Sequence, residues 1–137
     1  MRRAVMMLLS GVLVIGVGIV QAEKKITVQS MPPVVVKTFP QSGDTQVDPS
    51  IKEISVTFSK DMMINQMWSW VMISKATFPQ ITGEVRYLDG KKKCVAPVNL
   101  EPGKTYVIWF NSGKHNAFRD TENIPAVPYL LVFQTRE

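Results

Sequence analysis

Alternating apolar and polar residues recur along the sequence after its first thirty positions, and a period of two is typical of half-buried β-strands. The clearest case is IKEISVTFS (51–59), where every second residue from Ile54 is apolar. In TYVIWF (105–110), which predicts another strand, Tyr106, Ile108 and Phe110 alternate with Val107 and Trp109. VVVKTF (34–39) is a β-branched run after two prolines, and YLLVFQT (129–135) predicts a last strand.

Turn-forming residues separate these runs. PQSGDTQVDPS (40–50) predicts a loop, and NSGKHNAFRDTENIPAVP (111–128) predicts a long polar one. Asp89–Gly90 predicts a hairpin within residues 83–100. Pro102–Gly103 predicts a type II turn in a second hairpin. About seven short strands with no amphipathic helix indicate an all-β immunoglobulin-like Greek-key sandwich.

The N-terminus has the pattern of a signal peptide, which must be set aside before the fold is considered. Arg2 and Arg3 precede an uncharged apolar stretch, Ala4 to Val20, and Val20 and Ala22 fit the small-residue rule for cleavage. We therefore predict a signal peptide over 1–22 and a secreted or periplasmic protein that has no membrane contact after cleavage. The alternative is an uncleaved anchor, for which this stretch is short.

The remaining chain is one domain by size, with an N-terminal extension over 23–33 and an Ig-like domain over 34–137. Removing Arg2 and Arg3 lowers the formal net charge of +5 by two, and no long basic stripe remains, so we expect no nucleic-acid partner. The run Lys91–Lys93 follows a turn and indicates a solvated hairpin end, with an anion-binding patch as the alternative.

Three stretches carry a resemblance to a known family. TFPQSGDTQVDPSIKEISVTFSKDM (38–62) resembles the opening of the bacterial Ig-like domain of surface-layer proteins, of the SbsA type, including its Val-Asp-Pro turn. LEPGKTYVIWF (100–110) resembles that family's later strand pair, and FRDTENIPAVPYLLVFQT (118–135) resembles its closing turn and strand. The resemblance implies an extracytoplasmic β-sandwich without enzymatic activity that acts as a spacer or adhesion module. The Met- and Trp-rich stretch Ile64 to Met72 departs from the family pattern.

The residues give little support to catalysis. Cys94 is the only cysteine, which excludes an internal disulfide. It lies on the same strand face as Ala96 and Val98, so we expect it to point inward and to pack as a small hydrophobic residue. His115 is the only histidine and lies in a loop without metal-ligand neighbours, so a Cys94–His115 hydrolase is a remote third class. We expect Asp48 and Asp120 to form turns through their side-chain hydrogen bonds rather than to bind calcium. No cofactor is expected. Lys60, at a strand end, is expected to be solvated.

Trp68 and Trp70 carry the one sharp alternative. They lie on the same face of a strand predicted over Met67 to Ser74. An outward face would make an aromatic platform for sugar rings or an apolar partner, whereas an inward face would make them sandwich core. Because Ig-like sandwiches often bury a Trp on the third strand, we expect at least one of the pair in the core.

Taken together, these features predict an exported, non-enzymatic Ig-like module with a structural or protein-interaction role at the cell envelope. The alternative function is a carbohydrate-binding sandwich that uses Trp68 and Trp70. The sequence names no partner beyond an unknown protein or glycan of the envelope. The edge of the last predicted strand, 129–135, is a candidate for pairing with another chain.

Overall fold

The computed structural model describes residues 23–88 and 90–137, so the predicted signal peptide and Asp89 lie outside the described residues. The strands within that part of the chain are β1 (Val35–Phe39), β2 (Glu53–Phe58), β3 (Trp70–Met72), β4 (Gln80–Ile81), β5 (Arg86–Tyr87), β6 (Lys93–Asn99), β7 (Thr105–Phe110) and β8 (Tyr129–Gln134). A 3₁₀ turn, Lys75–Thr77, follows β3. In this part of the chain no helix has the length and apolarity to cross a membrane.

Two antiparallel sheets form the domain, which confirms the predicted all-β immunoglobulin-like sandwich. The larger sheet has the order β1-β2-β6-β4, with β5 also paired to β6, and the smaller sheet has the order β3-β7-β8. Strands β4 and β5 pair with successive parts of one β6 edge, through Ile81 opposite Val98 and Arg86 opposite Val95. The eight strands therefore occupy seven positions, close to the predicted number.

The core lies between the two sheets and follows the alternation in the sequence. Ile54, Val56 and Phe58 are 0–1% exposed on β2, as are Ile108 and Phe110 on β7. Successive side chains of a strand point to opposite faces, so these buried residues, at every second position, all face the core. The sequence predicted the same inward-facing positions. The predicted hairpin over 83–100 is also confirmed, since β5 and β6 pair antiparallel.

The turn at Pro102–Gly103 connects the two sheets, so the predicted second hairpin is wrong. Gly103 has the positive φ of 65° that favours glycine, as the turn chemistry indicates. However, β6 pairs with β2 and β4–β5, while β7 pairs with β3 and β8. Both edges of β6 and both edges of β7 are therefore occupied by other strands, so β6 and β7 do not pair. The chain instead crosses from one sheet to the other at this turn. The Tyr106 hydroxyl holds this crossing by accepting a hydrogen bond from the Glu101 N–H at 2.8 Å.

The loop over 40–50 covers the edge of β8, so this edge, a candidate for pairing with another chain, is already occupied. The Gly43 N–H donates to the Val132 carbonyl at 2.7 Å, and the Gln134 N–H donates to the Asp44 carbonyl at 2.8 Å. Val47 then forms a parallel bridge with Thr135. These bonds satisfy backbone groups that an edge strand would otherwise present to a partner.

Lys60 is buried, and the expectation that it is solvated is wrong. Its side chain is 2% exposed and forms an ion pair with Asp120, which is itself fully buried. Asp120 also forms the predicted turn, because its Oδ1 accepts the N–H groups of Glu122 and Ile124, each at 2.9 Å. Lys60 follows β2 directly, and a strand end seen in sequence does not reveal that a distant loop covers it.

Candidate functional site

Strand β3 lies at one edge of the smaller sheet and pairs only with β7 among the described strands. Its residues Trp70 and Met72 lie opposite Phe110 and Ile108. The strand is three residues long, shorter than the predicted Met67 to Ser74. The irregular stretch before β3 is still tied to the fold, because the Ala117 N–H donates to the Ser69 hydroxyl at 2.8 Å.

The hydrogen-bond pattern leaves part of the β3 backbone facing outward. The Asn111 N–H donates to the Ser69 carbonyl at 3.1 Å, which makes these two residues a hydrogen-bonded pair of the ladder. Antiparallel ladders alternate bonded and non-bonded pairs, so Val71 bonds to β7 whereas Trp70 and Met72 do not. Their N–H and C=O groups point to the free edge of the sheet.

A groove of about 520 Å³ runs beside this free edge, between β3 of one sheet and β4 of the other. Its lining is mostly apolar and comes from several stretches of the chain: Trp68, Ser69, Trp70, Val71, Met72, Phe78, Ile81, Val85 and His115. Of these, Met72 is 47% exposed, so apolar surface is available to a ligand. The volume is within the range of protein ligand sites.

Trp70 lines this groove and packs, half-buried, against the core. Its ring meets Phe110 edge-on, with ring centres 4.8 Å apart, and lies 6.5 Å from Phe118. The indole nitrogen is buried and has no hydrogen-bond partner among the described residues. The expectation that at least one of the two tryptophans lies in the core is met only by contact, because both are partly buried against the core.

Trp68 lies farther out on the same side of the domain. Its ring centre is 6.5 Å from that of Tyr87, at a tilted angle. The Tyr87 hydroxyl donates to the Met67 carbonyl at 2.8 Å, which anchors the residues before β3 to the larger sheet. Trp68 is half-buried and also lines a second depression with Ile64 and Glu84. The structure thus brings the two predicted contact residues to one groove, and their role in binding stays a prediction.

Cys94 is fully buried in the core beneath Trp70, in agreement with its inward strand phase. Burial raises the pKa of the Cys94 thiol to about 12, while the neighbouring Trp70 indole acts in the opposite direction. Burial, with a smaller contribution from Cys94, also raises the pKa of the Tyr87 phenol. A thiol held protonated in an apolar setting is a weak nucleophile.

His115 is exposed at the rim of the groove, as predicted for a loop residue. The His115 backbone N–H donates a hydrogen bond to the Ser112 hydroxyl at 3.2 Å. Within residues 23–88 and 90–137, no three His, Cys, Asp or Glu side chains are grouped to hold a metal ion. The groove therefore offers apolar surface and outward-facing backbone groups to a ligand.

Comparison of the sequence with models of protein families identifies the family of this domain. Residues 29–135 match the profile of the family described as bacterial Ig-like domain. The chain belongs to the bacterial Ig-like domain family. This confirms the resemblance recognised in the sequence. A search of curated proteins finds no match for the chain.

Solved structures similar to this Ig-like domain come from surface-layer proteins. The N-terminal part of the bacterial S-layer protein SbsC has 17% identity, a TM-score of 0.50, and coverage of 79% of this chain and 24% of its own. The structure of surface layer protein SbsC, domains 1-6, has 16% identity, a TM-score of 0.50, and coverage of 79% and 14%. The chain thus spans less than a quarter of these structures, and at this identity the similarity concerns the fold alone.

Sequence reasoning found the two tryptophans of this Ig-like domain but missed the opposite wall of the groove. Phe78, Ile81 and Val85 come from a stretch in which Pro79 and Gly83 interrupt any alternation. The free edge of β3 was also missed. The length of a strand and its neighbours depend on pairing with distant residues, which no local pattern records.

Proposed function

We propose that this Ig-like domain is a non-catalytic module that binds another protein at the cell envelope through the groove between β3 and β4. The observation that supports this proposal most directly is the outward-facing backbone of Trp70 and Met72 beside an apolar groove. An extended segment of a partner could add to β3 as a new strand, with main-chain hydrogen bonds giving affinity. Its alternate side chains would enter the groove and contact Phe78, Ile81 and Val85.

The surroundings of the groove support a protein ligand over a sugar. The Trp70 ring is half-buried against Phe110 and Phe118 and its indole N–H is buried, so only part of its surface is open to a sugar ring. Trp68 alone is left as an outer aromatic surface. Exposed Met72 adds a flexible apolar contact of the kind that adapts to protein partners. A location at the cell envelope is part of the proposal, supported by the predicted signal peptide and the family membership.

Site-specific photo-crosslinking in the native host tests this proposal. A benzophenone amino acid replaces Met72 at the groove, and a matched variant carries it at Thr121, which is exposed in a distant loop. We expect a discrete protein adduct at position 72, none at position 121, and loss of the adduct when Trp68→Ala and Ile81→Asp are added.

Adducts of similar yield at both positions, or none at position 72, would contradict binding through the groove. Mass spectrometry identifies the captured protein and the attached peptide. The proposal requires that this peptide has apolar residues at alternate positions, since only one of its faces would contact the groove. A peptide without such alternation would also count against strand addition.

A further inference from the structure

The outer face of the larger sheet, on the side away from the core, carries a row of three polar residues. Lys37 on β1 lies opposite Thr57 on β2, and Thr57 lies opposite Lys93 on β6. Residues opposite each other across a ladder share a face, so the two lysines flank the threonine. Strands are spaced by about 4.8 Å, which places the two lysine Cα atoms roughly 10 Å apart.

This row is the centre of an uncompensated positive surface. Lys91 and Lys92 lie in the turn just before Lys93, and Lys52 lies at the far end of the face. All of these lysines are exposed. The described residues contain four ion pairs, and none of them involves these lysines. Arg86 differs, because it pairs with Glu53 at 2.7 Å across β6. The lysines therefore remain available to an anionic ligand.

The same face is concave and holds a groove of about 540 Å³ next to the lysine row. Phe39, Ser55 and Val95 form the next row across β1, β2 and β6. Phe39 is 52% exposed at one wall, whereas Val95 is 1% exposed at the floor. The hydroxyls of Thr57, which is half-buried, and of Ser55, which is 8% exposed, lie on this face without a hydrogen bond to other described residues.

We propose that this outer face binds an acidic polysaccharide, a glycan with carboxylates at regular intervals. One carboxylate is held over Thr57 by the ammonium groups of Lys37 and Lys93. A sugar ring then lies against Phe39, with its hydroxyls bonded to Ser55. Aromatic rings pair well with the apolar faces of sugars, and lysine ammonium groups attract anions as compact point charges.

This site is distinct from the protein-binding groove and lies on the other sheet. The Trp68 and Trp70 groove is mostly apolar and has an open strand edge, whereas the outer face combines cations, hydroxyls, one exposed aromatic ring and the Glu53 carboxylate, which pairs with Arg86. A domain with both sites could join a protein to a glycan of the envelope. The two proposals can fail independently, because they involve no shared residue.

Calorimetric titration of the purified protein with hexagalacturonate, at low ionic strength, tests the site. We expect binding that weakens as salt is added, since exposed charges are screened. The fully methyl-esterified oligomer, which has the same sugar rings without charge, should not bind. Lys37→Gln with Lys93→Gln should lower the affinity about tenfold, because each exposed charge pair contributes up to about 1 kcal/mol.

A matched pair of substitutions controls for general loss of positive charge. Lys75→Gln with Lys114→Gln removes two exposed lysines outside this face and should leave the affinity unchanged. Phe39→Ala should weaken hexagalacturonate binding severalfold but leave binding of a short polyphosphate unaltered. The proposal is overturned if hexagalacturonate does not bind, if both lysine pairs have the same effect, or if Phe39→Ala changes neither ligand.

Discussion

Lys60 Nζ lies 2.8 Å from Asp120 Oδ2, and the two side chains are 2% and 0% exposed. The same ammonium donates to the carbonyls of Gln29 at 2.6 Å and Met31 at 3.0 Å. The three groups around Lys60 come from two separate parts of the chain, residues 29–31 and Asp120. The pair thus fastens the segment before β1 and the loop before β8 to the end of β2.

Removing the ammonium should destabilise the domain strongly. Lys60→Met leaves a buried carboxylate without its counter-charge and two carbonyls without a donor, so we expect the free energy of unfolding to fall by about 3–5 kcal/mol. Urea unfolding measures this change. The double variant Lys60→Met, Asp120→Asn should be less destabilised than the single one, since no charge stays buried. A loss below about 1 kcal/mol in the single variant would contradict this role.

Acid should weaken the same contact. Burial raises the pKa of the Asp120 carboxyl, but Lys60 and the N–H groups of Ile124 and Glu122 outweigh it and hold the pKa below the ordinary 3.8. Because the pKa is lower in the folded protein, this stabilisation is fully present above the ordinary pKa of 3.8. It is lost as the pH falls through the folded-state pKa. Urea midpoints measured from neutral pH into this acid range should therefore fall.

The pH dependence can be assigned by comparison with the double variant Lys60→Met, Asp120→Asn. Its midpoint should fall less steeply below pH 3.8, because the buried carboxyl is absent. Asp48 and Glu101 also have lowered pKa values, through hydrogen bonds to Ser50 and Lys104 respectively, and remain in both proteins. Parallel curves for the two proteins would show that Asp120 does not contribute.

Local patterns predicted most of the fold because they depend on periodicity and turn chemistry. The alternation around Val56 and Ile108 identified core-facing residues, and the positive φ at Gly90 and Gly103 suits the predicted turns. What failed was pairing between distant residues. A proline-glycine turn reverses the chain whether the next strand joins the same sheet or the facing one, so the second hairpin was wrong.

The buried thiol should be inert in the folded protein. The pKa of Cys94 is raised from 9.0 to about 12, which lowers its thiolate fraction about 1000-fold at mildly alkaline pH. We expect iodoacetamide to modify Cys94 in denaturing urea and to leave the native protein unmodified over the same time. Rapid modification without loss of structure would contradict the burial described here and reopen the question of a reactive cysteine.

The two groove tryptophans should differ in fluorescence. A protein with Trp68→Phe and Trp109→Phe retains only Trp70, whose indole nitrogen is buried. Its emission should be blue-shifted and poorly quenched by iodide. A protein with Trp70→Phe and Trp109→Phe retains Trp68, and its emission should be red-shifted and quenched more strongly. Equal quenching of the two proteins would contradict the division of the pair between core and groove.

The candidate site could be predicted only in part. Trp68 and Trp70 stand out by composition, but their partners across the groove, such as Ile81, are about ten residues away and belong to the other sheet. Likewise, Lys37 and Lys93 are distant in sequence and become neighbours of Thr57 only through strand register. Register depends on the whole sheet, so neither site is visible in any single stretch.

Amide hydrogen exchange at β3 tests strand addition most directly. The ligand is the peptide identified by crosslinking at Met72, added to the full protein. Because the amides of Trp70 and Met72 face the open edge, a strand added there should slow their exchange by about a hundredfold. The Val71 amide already bonds to β7 and serves as the internal control. Protection of Trp70 and Met72 with little change at Val71 is the predicted result, and binding without protection of these two amides would contradict it.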